Sequence, residues 1–300
     1  SLKPVFFIGV PRSGTTIIFE IIARHEKLAW LSNYSAIFPR LHCLNILKPI
    51  CELFYPSAIG VKRQYNKSSY LSNLKIRPDE AYEFWEYWSN IPFRRSYMLN
   101  KKADPACQRN INDAIRRTVK WQFKKQFTTK LTGPARIEFL SSIFPSAKFI
   151  HIVRDGRAVT HSLLNVKFWN DGDGLIAPWW KNGNIEEELS FWKKTHKDPG
   201  VLAALQWKKI IQEARKEAKI IKKDSYIEIK YEHFIKNQDE VISKILRFAD
   251  LNHSKKVTDY SHQLKTIKRM NDKYKMDWDD NYISLLETAM EPILSQLEYI

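Results

Sequence analysis

The chain has 300 residues, 44% hydrophobic and 27% charged, a globular composition that excludes a disordered chain; 9 glycines and 13 prolines exclude collagen-like or linker-like sequence. The 49 Lys and Arg outnumber 33 Asp and Glu for a net charge of +16, which reads either as a lysine-rich soluble surface or as a field that attracts nucleic acid, acidic membrane or a phosphorylated small molecule. No run of 18 apolar residues occurs, so no membrane span is expected, and the 3 scattered cysteines (Cys43, Cys51, Cys107) suit a reducing compartment better than a disulfide framework or a zinc site.

Val5-Phe6-Phe7-Ile8 is a short apolar run ending at Gly9 and is expected to be a buried strand. A tight loop, 9–14, leads into a segment with Ile17, Ile18, Ile21 and Ile22 at helical spacing. Residues 28–31 read as a second strand, 36–54 and 79–90 as helices, and the Ser/Asn/Lys-rich stretch 62–75 between them as a loop. Asp104-Pro105 opens a helix that runs to about Lys124, since Pro suits the first helical position. Strands follow at 126–131 and 147–153, the second continuing into a helix at 156–168. Residues 169–184, with Trp179 and Trp180, form an irregular loop. Helices at 185–196 and 201–222, an alternating strand at 226–231, and helices at 238–249 and 283–297 complete the chain. Strands alternating with helices imply an α/β fold, a P-loop-like parallel sheet flanked by helices on both faces. With no sharp composition shift, residues 1–300 are expected to be a single domain.

Two segments carry chemistry. In Gly9-Val10-Pro11-Arg12-Ser13-Gly14-Thr15-Thr16 the turn between strand and helix aims backbone N–H groups inward and, with the helix dipole, makes an anion site. The Gly-x4-Gly spacing matches a Walker A loop, but Thr15 stands where that loop needs Lys, and the cation is Arg12 instead. The best buried strand ends in Arg154, a cation where a magnesium-nucleotide enzyme would place its metal carboxylate, although Asp155 follows. A phosphate ligand without an obligatory metal is therefore expected; a ligand-free glycine turn is the plainer alternative. In the second segment, 149–164, Arg154 ends the strand and Ser162 follows it by 8 residues in the next helix, so that the two could grip one phosphate. Both segments belong at the carboxyl edge of the sheet, where open parallel sheets bind ligands. Otherwise Arg154 pairs with Asp155 or Glu232 and Ser162 is surface.

Together these segments resemble the sulfotransferases that use 3′-phosphoadenosine-5′-phosphosulfate (PAPS), in their bacterial and Golgi-like branch. Pro11 to Thr16 looks like that family's 5′-phosphosulfate loop and Arg154 to Ser162 like its 3′-phosphate motif. Tyr226 to Phe234 is similar to the family's third strand with its Tyr-Glu, and Lys273 to Tyr299 resembles the C-terminal signature. The resemblance implies a sulfotransferase fold, PAPS as cosubstrate and PAP (3′,5′-ADP) as product. It implies Arg12 on the bridging oxygen and 5′-phosphate, with Ser13, Gly14, Thr15 and Thr16 as loop donors. Arg154 and Ser162 would hold the 3′-phosphate and Tyr231 would contact adenine. The basic stretch from Lys268 and Arg269 to Lys273 would close over the nucleotide. One departure is that Ile17 stands where the cytosolic branch has its adenine-stacking Trp.

Sulfuryl transfer, like phosphoryl transfer, relies on positioning and cations at a loose transition state, and requires no metal in principle. Arg12 is placed to stabilise the leaving phosphate, and Lys130 sits where the family often has a Lys touching the sulfo group; otherwise it is an ordinary surface lysine. The acceptor needs a general base. Asn33 occupies roughly the place where one Golgi-like branch carries a Glu, and an amide cannot serve. Glu80 is the choice, with Glu83 and His42 as alternatives; His25 is read as structural. The aromatic segment 82–88 or the Trp179–Trp180 loop would wall the acceptor, expected to be a small molecule, glycan or lipid, and no nucleic-acid partner is expected. A cytoplasmic enzyme is expected, or a Golgi-lumenal one if a leader precedes Ser1. The N-x-S/T sites at Asn33, Asn66 and Asn252 are about what chance provides and do not bear on this. The readings in other classes are a P-loop nucleotide kinase or NTPase, and a basic polyanion-binding protein.

Overall fold

The computed structural model describes residues 2–54, 59, 75–264 and 271–300. Five strands, β1 (Val5–Gly9), β2 (Leu28–Trp30), β3 (Gln126–Thr132), β4 (Lys148–Val153) and β5 (Tyr226–Lys230), form one sheet in the order β2-β3-β1-β4-β5, and all neighbours are parallel. The chain leaves β1 toward one edge, returns as β3, and then crosses to β4 and β5 on the other side. β1 is thus the point where the strand order reverses, and the crevice at its carboxyl end is where such sheets place a ligand.

Both faces of the sheet are covered, because alternate strand residues point to opposite sides. Phe6, Ile8 and Phe149 pack on one face with Trp85, Ile111, Ile115 and Leu140. Val5, Phe7, Ile150 and Ile152 pack on the other with Ile18, Ile21, Ile22, Phe234 and Ile245. A third core joins Val153 and Val159 to Trp169, Trp207, Ile211 and Met290 beside the helix Pro199–Ala218. No helix among the described residues is long and apolar enough to cross a membrane.

The strands fall where hydrophobic patterning puts them; several helices do not. The expected helix 36–54 is instead a short helix Asn33–Ile37, a 3-10 turn His42–Ile46 and a helix Leu47–Phe54. Ser32 caps the first through a capping box, and Pro39, lacking an N–H, stands where it would have to continue. The helix expected from 79 begins at Tyr82, because the residues before it run alongside the end of β2: the Asp79 N–H donates to the Leu31 carbonyl at 2.8 Å and the Asn33 N–H to the Arg77 carbonyl at 3.2 Å. Glu80 therefore lies before the helix. The helix Pro105–Trp121 starts as expected, with Asp104 Oδ1 accepting from the N–H groups of Ala106 and Cys107, both at 2.9 Å. The helix from Gly156 ends at Leu164, and the final helical region divides into Asp280–Met290 and Ile293–Gln296 around Pro292. The helices Ile137–Ile143 and Lys255–Gln263 were not expected; the first is short, and its Glu138 N–H donates to buried Glu217 Oε2 at 3.0 Å from a distant helix. The expected loop 62–75 lies outside the described residues except for Lys75.

Buried Gln122 fastens strand β2. Its Nε2 donates to the Trp30 carbonyl at 2.7 Å and to Asn45 Oδ1 at 3.0 Å, and its Oε1 accepts from the Trp30 N–H at 3.1 Å. Gln122→Leu strands both backbone groups of Trp30 in the interior. The expected loss is roughly 2–4 kcal/mol of unfolding free energy, measured by urea denaturation.

Candidate active site

β1 ends at Gly9 and the loop that follows closes with the Ser13 N–H donating to the Val10 carbonyl at 3.1 Å. Arg12 (φ 75°) and Gly14 (φ 86°) both lie in the left-handed region, and Gly14 is the N-cap of the helix Thr15–Ile22. Gly14 gives that helix no side-chain cap, and its first turn holds no acidic residue. Ser13 is buried, and its Oγ finds no hydrogen-bond partner among the described residues. The loop lies directly on Tyr231: a Cβ on Gly14 would overlap that ring.

Arg154 comes up beside the loop from the end of β4. Its Nη1 donates to the Arg12 carbonyl at 2.8 Å, its Nε to Asn271 Oδ1 at 2.7 Å, and its guanidinium lies 4.9 Å from the centre of the Tyr231 ring. The pairing with Glu232 considered from sequence is indirect, through an amide. Asn271 Nδ2 donates to Glu232 Oε1 at 2.8 Å, the Asp155 N–H donates to the same oxygen at 3.1 Å, and the Tyr299 hydroxyl donates to Oε2 at 2.8 Å. The Asp155 carboxylate is engaged by Arg157 at 2.8 Å. Burial lowers the Arg154 pKa from its ordinary value, against the opposing charges of Glu232 and Asp155. Across the loop, Arg12 Nε donates to Ser162 Oγ at 2.9 Å, so the two segments singled out in the sequence touch through both of their arginines.

A cavity of about 1180 Å³ opens at this edge. Arg12, Gly14, Thr15, Thr16, Arg154 and Tyr231 line one part of it, and Glu80, Lys130 and Thr132 another. Lys130 is no surface lysine: it is buried, its Nζ donates to Thr16 Oγ1 at 2.9 Å and lies 3.1 Å from Glu80 Oε1. Glu80 Oε1 also accepts from Thr132 Oγ1 at 2.7 Å. Glu83 lines the cavity as well and is paired with Arg94. His42 does not line it; the ring is stacked on Trp88 at 5.3 Å and burial lowers its pKa. His25 is structural, with Nδ1 accepting from the Lys27 N–H at 3.1 Å and Nε2 3.0 Å from the Asn252 carbonyl.

Asn33, at the cavity wall, uses both ends of its amide on the segment that leads to Glu80. Its Oδ1 accepts from the Arg77 N–H at 3.0 Å and its Nδ2 donates to the Lys75 carbonyl at 3.3 Å. Of the aromatic segment only Tyr82 reaches the cavity, since Phe84 and Trp85 are core; Trp179 and Trp180 both line it, and so does the aliphatic Ile17. Lys273 is exposed and is not part of the cavity wall, and Lys268 and Arg269 lie outside the described residues. Sequence reasoning missed Thr132 and Asn271. The first could have been found by strand alternation, two residues beyond Lys130; no spacing pattern points to the second.

The chain matches the model of the sulfotransferase family over residues 4–255. It is 29% identical to human protein-tyrosine sulfotransferase 1 over 171 residues, 55% of this chain and 35% of that one. It is 25% identical over 182 residues, 54% of this chain and 45% of the other, to the omega-hydroxy-beta-dihydromenaquinone-9 sulfotransferase of Mycobacterium tuberculosis. The chain thus spans less than half the length of either curated relative. The crystal structure of a sulfotransferase from Mycobacterium avium superposes with a TM-score of 0.56 at 15% identity, covering 98% of this chain and 76% of that one. This protein belongs to the sulfotransferase family, and its five-stranded parallel sheet with helices on both faces is the sulfotransferase fold. It is an enzyme of that family.

The contact of Gly14 with Tyr231 can be dissected. Gly14→Ala carries both a left-handed backbone penalty of about 1–2 kcal/mol and the overlap with the ring. In a Tyr231→Ala background the overlap disappears and the backbone penalty remains. Chemical denaturation of the four proteins should therefore give a smaller loss for Gly14→Ala when Tyr231 is absent; equal losses would mean the ring does not support the loop.

Proposed function

We propose that this enzyme transfers a sulfo group from PAPS to a hydroxyl or amine of a small-molecule, glycan or lipid acceptor, leaving PAP. The observation that carries the reading is that the loop with Arg12 and the Arg154 beside it meet at one cavity, which Lys130 and Glu80 also line. The residues fit such a donor. The helix N-terminus, with Gly14, Thr15 and Thr16 lining the cavity, suits a phosphosulfate. Arg154 stands beside the loop at the end of β4 and lines the same cavity, where a 3′-phosphate would accept from its guanidinium.

The donor supplies an activated sulfur whose bond to the bridging oxygen breaks as the acceptor attacks in line. Arg12 then meets the charge that grows on the leaving phosphate, and the loop N–H groups of Ser13 to Thr16 share it. Lys130, already bonded to Thr16, is in place to contact the sulfo oxygens. Glu80 takes the acceptor proton. Arg154 and Ser162 hold the 3′-phosphate and Tyr231 contacts the adenine. Positive charge at the reacting centre comes from Arg12, Lys130 and the helix N-terminus, so the scheme requires no metal.

Thermal unfolding with 3′,5′-ADP, 5′-AMP or ATP-Mg tests the donor. Only the first should stabilise strongly, by about 2.7 kcal/mol at a hundredfold excess over its Kd. Arg154→Ala should weaken 3′,5′-ADP at least tenfold more than 5′-AMP. A stronger response to ATP-Mg would favour a P-loop kinase or NTPase instead, and a response to none of them a polyanion-binding protein.

The base is tested without an assigned acceptor by following PAP release from PAPS with water as acceptor. Glu80→Gln should slow this reaction by roughly 10²-fold or more while the donor KM stays within about twofold. Unchanged turnover would transfer the role to Glu83.

A further inference from the structure

We infer that Thr132 is a positioning residue for Glu80, fixing the orientation of its carboxylate; the inference rests on the reading of Glu80 as the base. Lys130 and Thr132 are two residues apart on β3, so their side chains leave the same face of the sheet. Both reach the same oxygen: Thr132 Oγ1 donates to Glu80 Oε1 at 2.7 Å, and Lys130 Nζ lies 3.1 Å from it. Two donors converging on one oxygen restrict rotation about the last bond of the Glu80 side chain, which is otherwise a soft torsion.

Thr132 is itself fixed. Its strand is in register with β1, with Gly9 opposite Thr132, and the next residue continues the contact through the Gly133 N–H donating to the Gly9 carbonyl at 3.0 Å. The Thr132 carbonyl accepts from the Tyr82 hydroxyl at 2.6 Å. Tyr82 is buried, which raises its pKa well above the usual phenol value and keeps that hydroxyl a donor at any working pH. Tyr82 opens the helix that follows Glu80, so one hydrogen bond ties the end of β3 to the chain immediately after the carboxylate, and the Thr132 side chain ties it to the carboxylate. Glu80 has no regular secondary structure of its own to hold it, and a base must be held in line with its proton to be effective.

Thr132→Val removes the hydroxyl at nearly constant volume, and Thr132→Ser keeps the hydroxyl while removing the methyl group. The first readout is the titration of the Glu80 side-chain carboxyl by ¹³C NMR in the donor-free protein; the second is PAP release from PAPS with water as acceptor. A hydrogen bond to the charged form favours that form. Losing it in Thr132→Val should move the Glu80 titration upward by a few tenths of a pH unit or more and slow PAP release about tenfold, with the donor KM unchanged. Thr132→Ser should restore both toward wild type. The inference is overturned if the Val variant titrates and turns over as wild type does, or if Ser is as impaired as Val, which would make the role one of packing. A moved titration together with wild-type turnover in both Thr132→Val and Glu80→Gln would instead overturn Glu80 as the base and leave the Thr132–Glu80 contact standing.

Discussion

The hydrogen bond from Arg154 to the backbone carbonyl of Arg12 is the contact on which the site depends. A loop turned through two left-handed residues cannot hold its shape by itself; the carbonyl that its turn exposes must have a donor, and here the donor is a buried cation from the neighbouring strand. The sheet order makes this possible. β1 and β4 are adjacent and parallel, so the residue after β1 and the residue after β4 emerge side by side. Tyr231, which follows β5, completes the stack beneath both. Three neighbouring strand ends thus meet at one loop.

The loop and the strand end beside it were legible in the sequence as short-range patterns: an apolar run, a glycine turn, and a cation at the end of a strand. The sheet and its two faces were legible for the same reason, since apolar strand runs are local signals. What escaped was decided by contacts between distant segments. The helix Ile137–Ile143 meets Glu217 from another helix at its first turn, and the break of the helix expected at 79 comes from residues 77–79 hydrogen-bonding beside the end of β2. Asn271, which orients Arg154, is 117 residues away from it in the chain. Glu80 was singled out for its charge at a helix start, yet the chain there is not helical; the residue was right for the cavity while the local structure was not.

The cavity wall around Glu80 is built on different principles from the loop. No motif governs it; instead an irregular segment is bound to the end of β2 by Asn33, and its carboxylate is caught by side chains from β3. The amide at position 33 cannot accept a proton as a base, but it can donate and accept at once, and that bifunctionality is what fastening a strand-like segment requires. A carboxylate there would lose the bond to the Lys75 carbonyl. Asn33 is thus structural, and the carboxylate of Glu80 at the cavity wall lies a few residues beyond the segment it fastens.

Lys130 joins the two halves. Buried between Thr16 and Glu80, its ammonium loses most of its hydration and recovers it through one hydroxyl and one carboxylate. An ammonium in water would interact with Glu80 only weakly, whereas in this enclosed setting the same separation carries a much larger energy. Arg154 is enclosed in the same way, and the Ser13 hydroxyl is buried with no partner among the described residues. The site therefore gathers cations and donors whose burial costs them hydration. A dianionic ligand would return that stabilisation, whereas a neutral ligand of similar shape would leave the cost of burial in place. Such a cluster acts on an anionic ligand at close range, whereas the net charge of +16 acts at long range and is screened by salt.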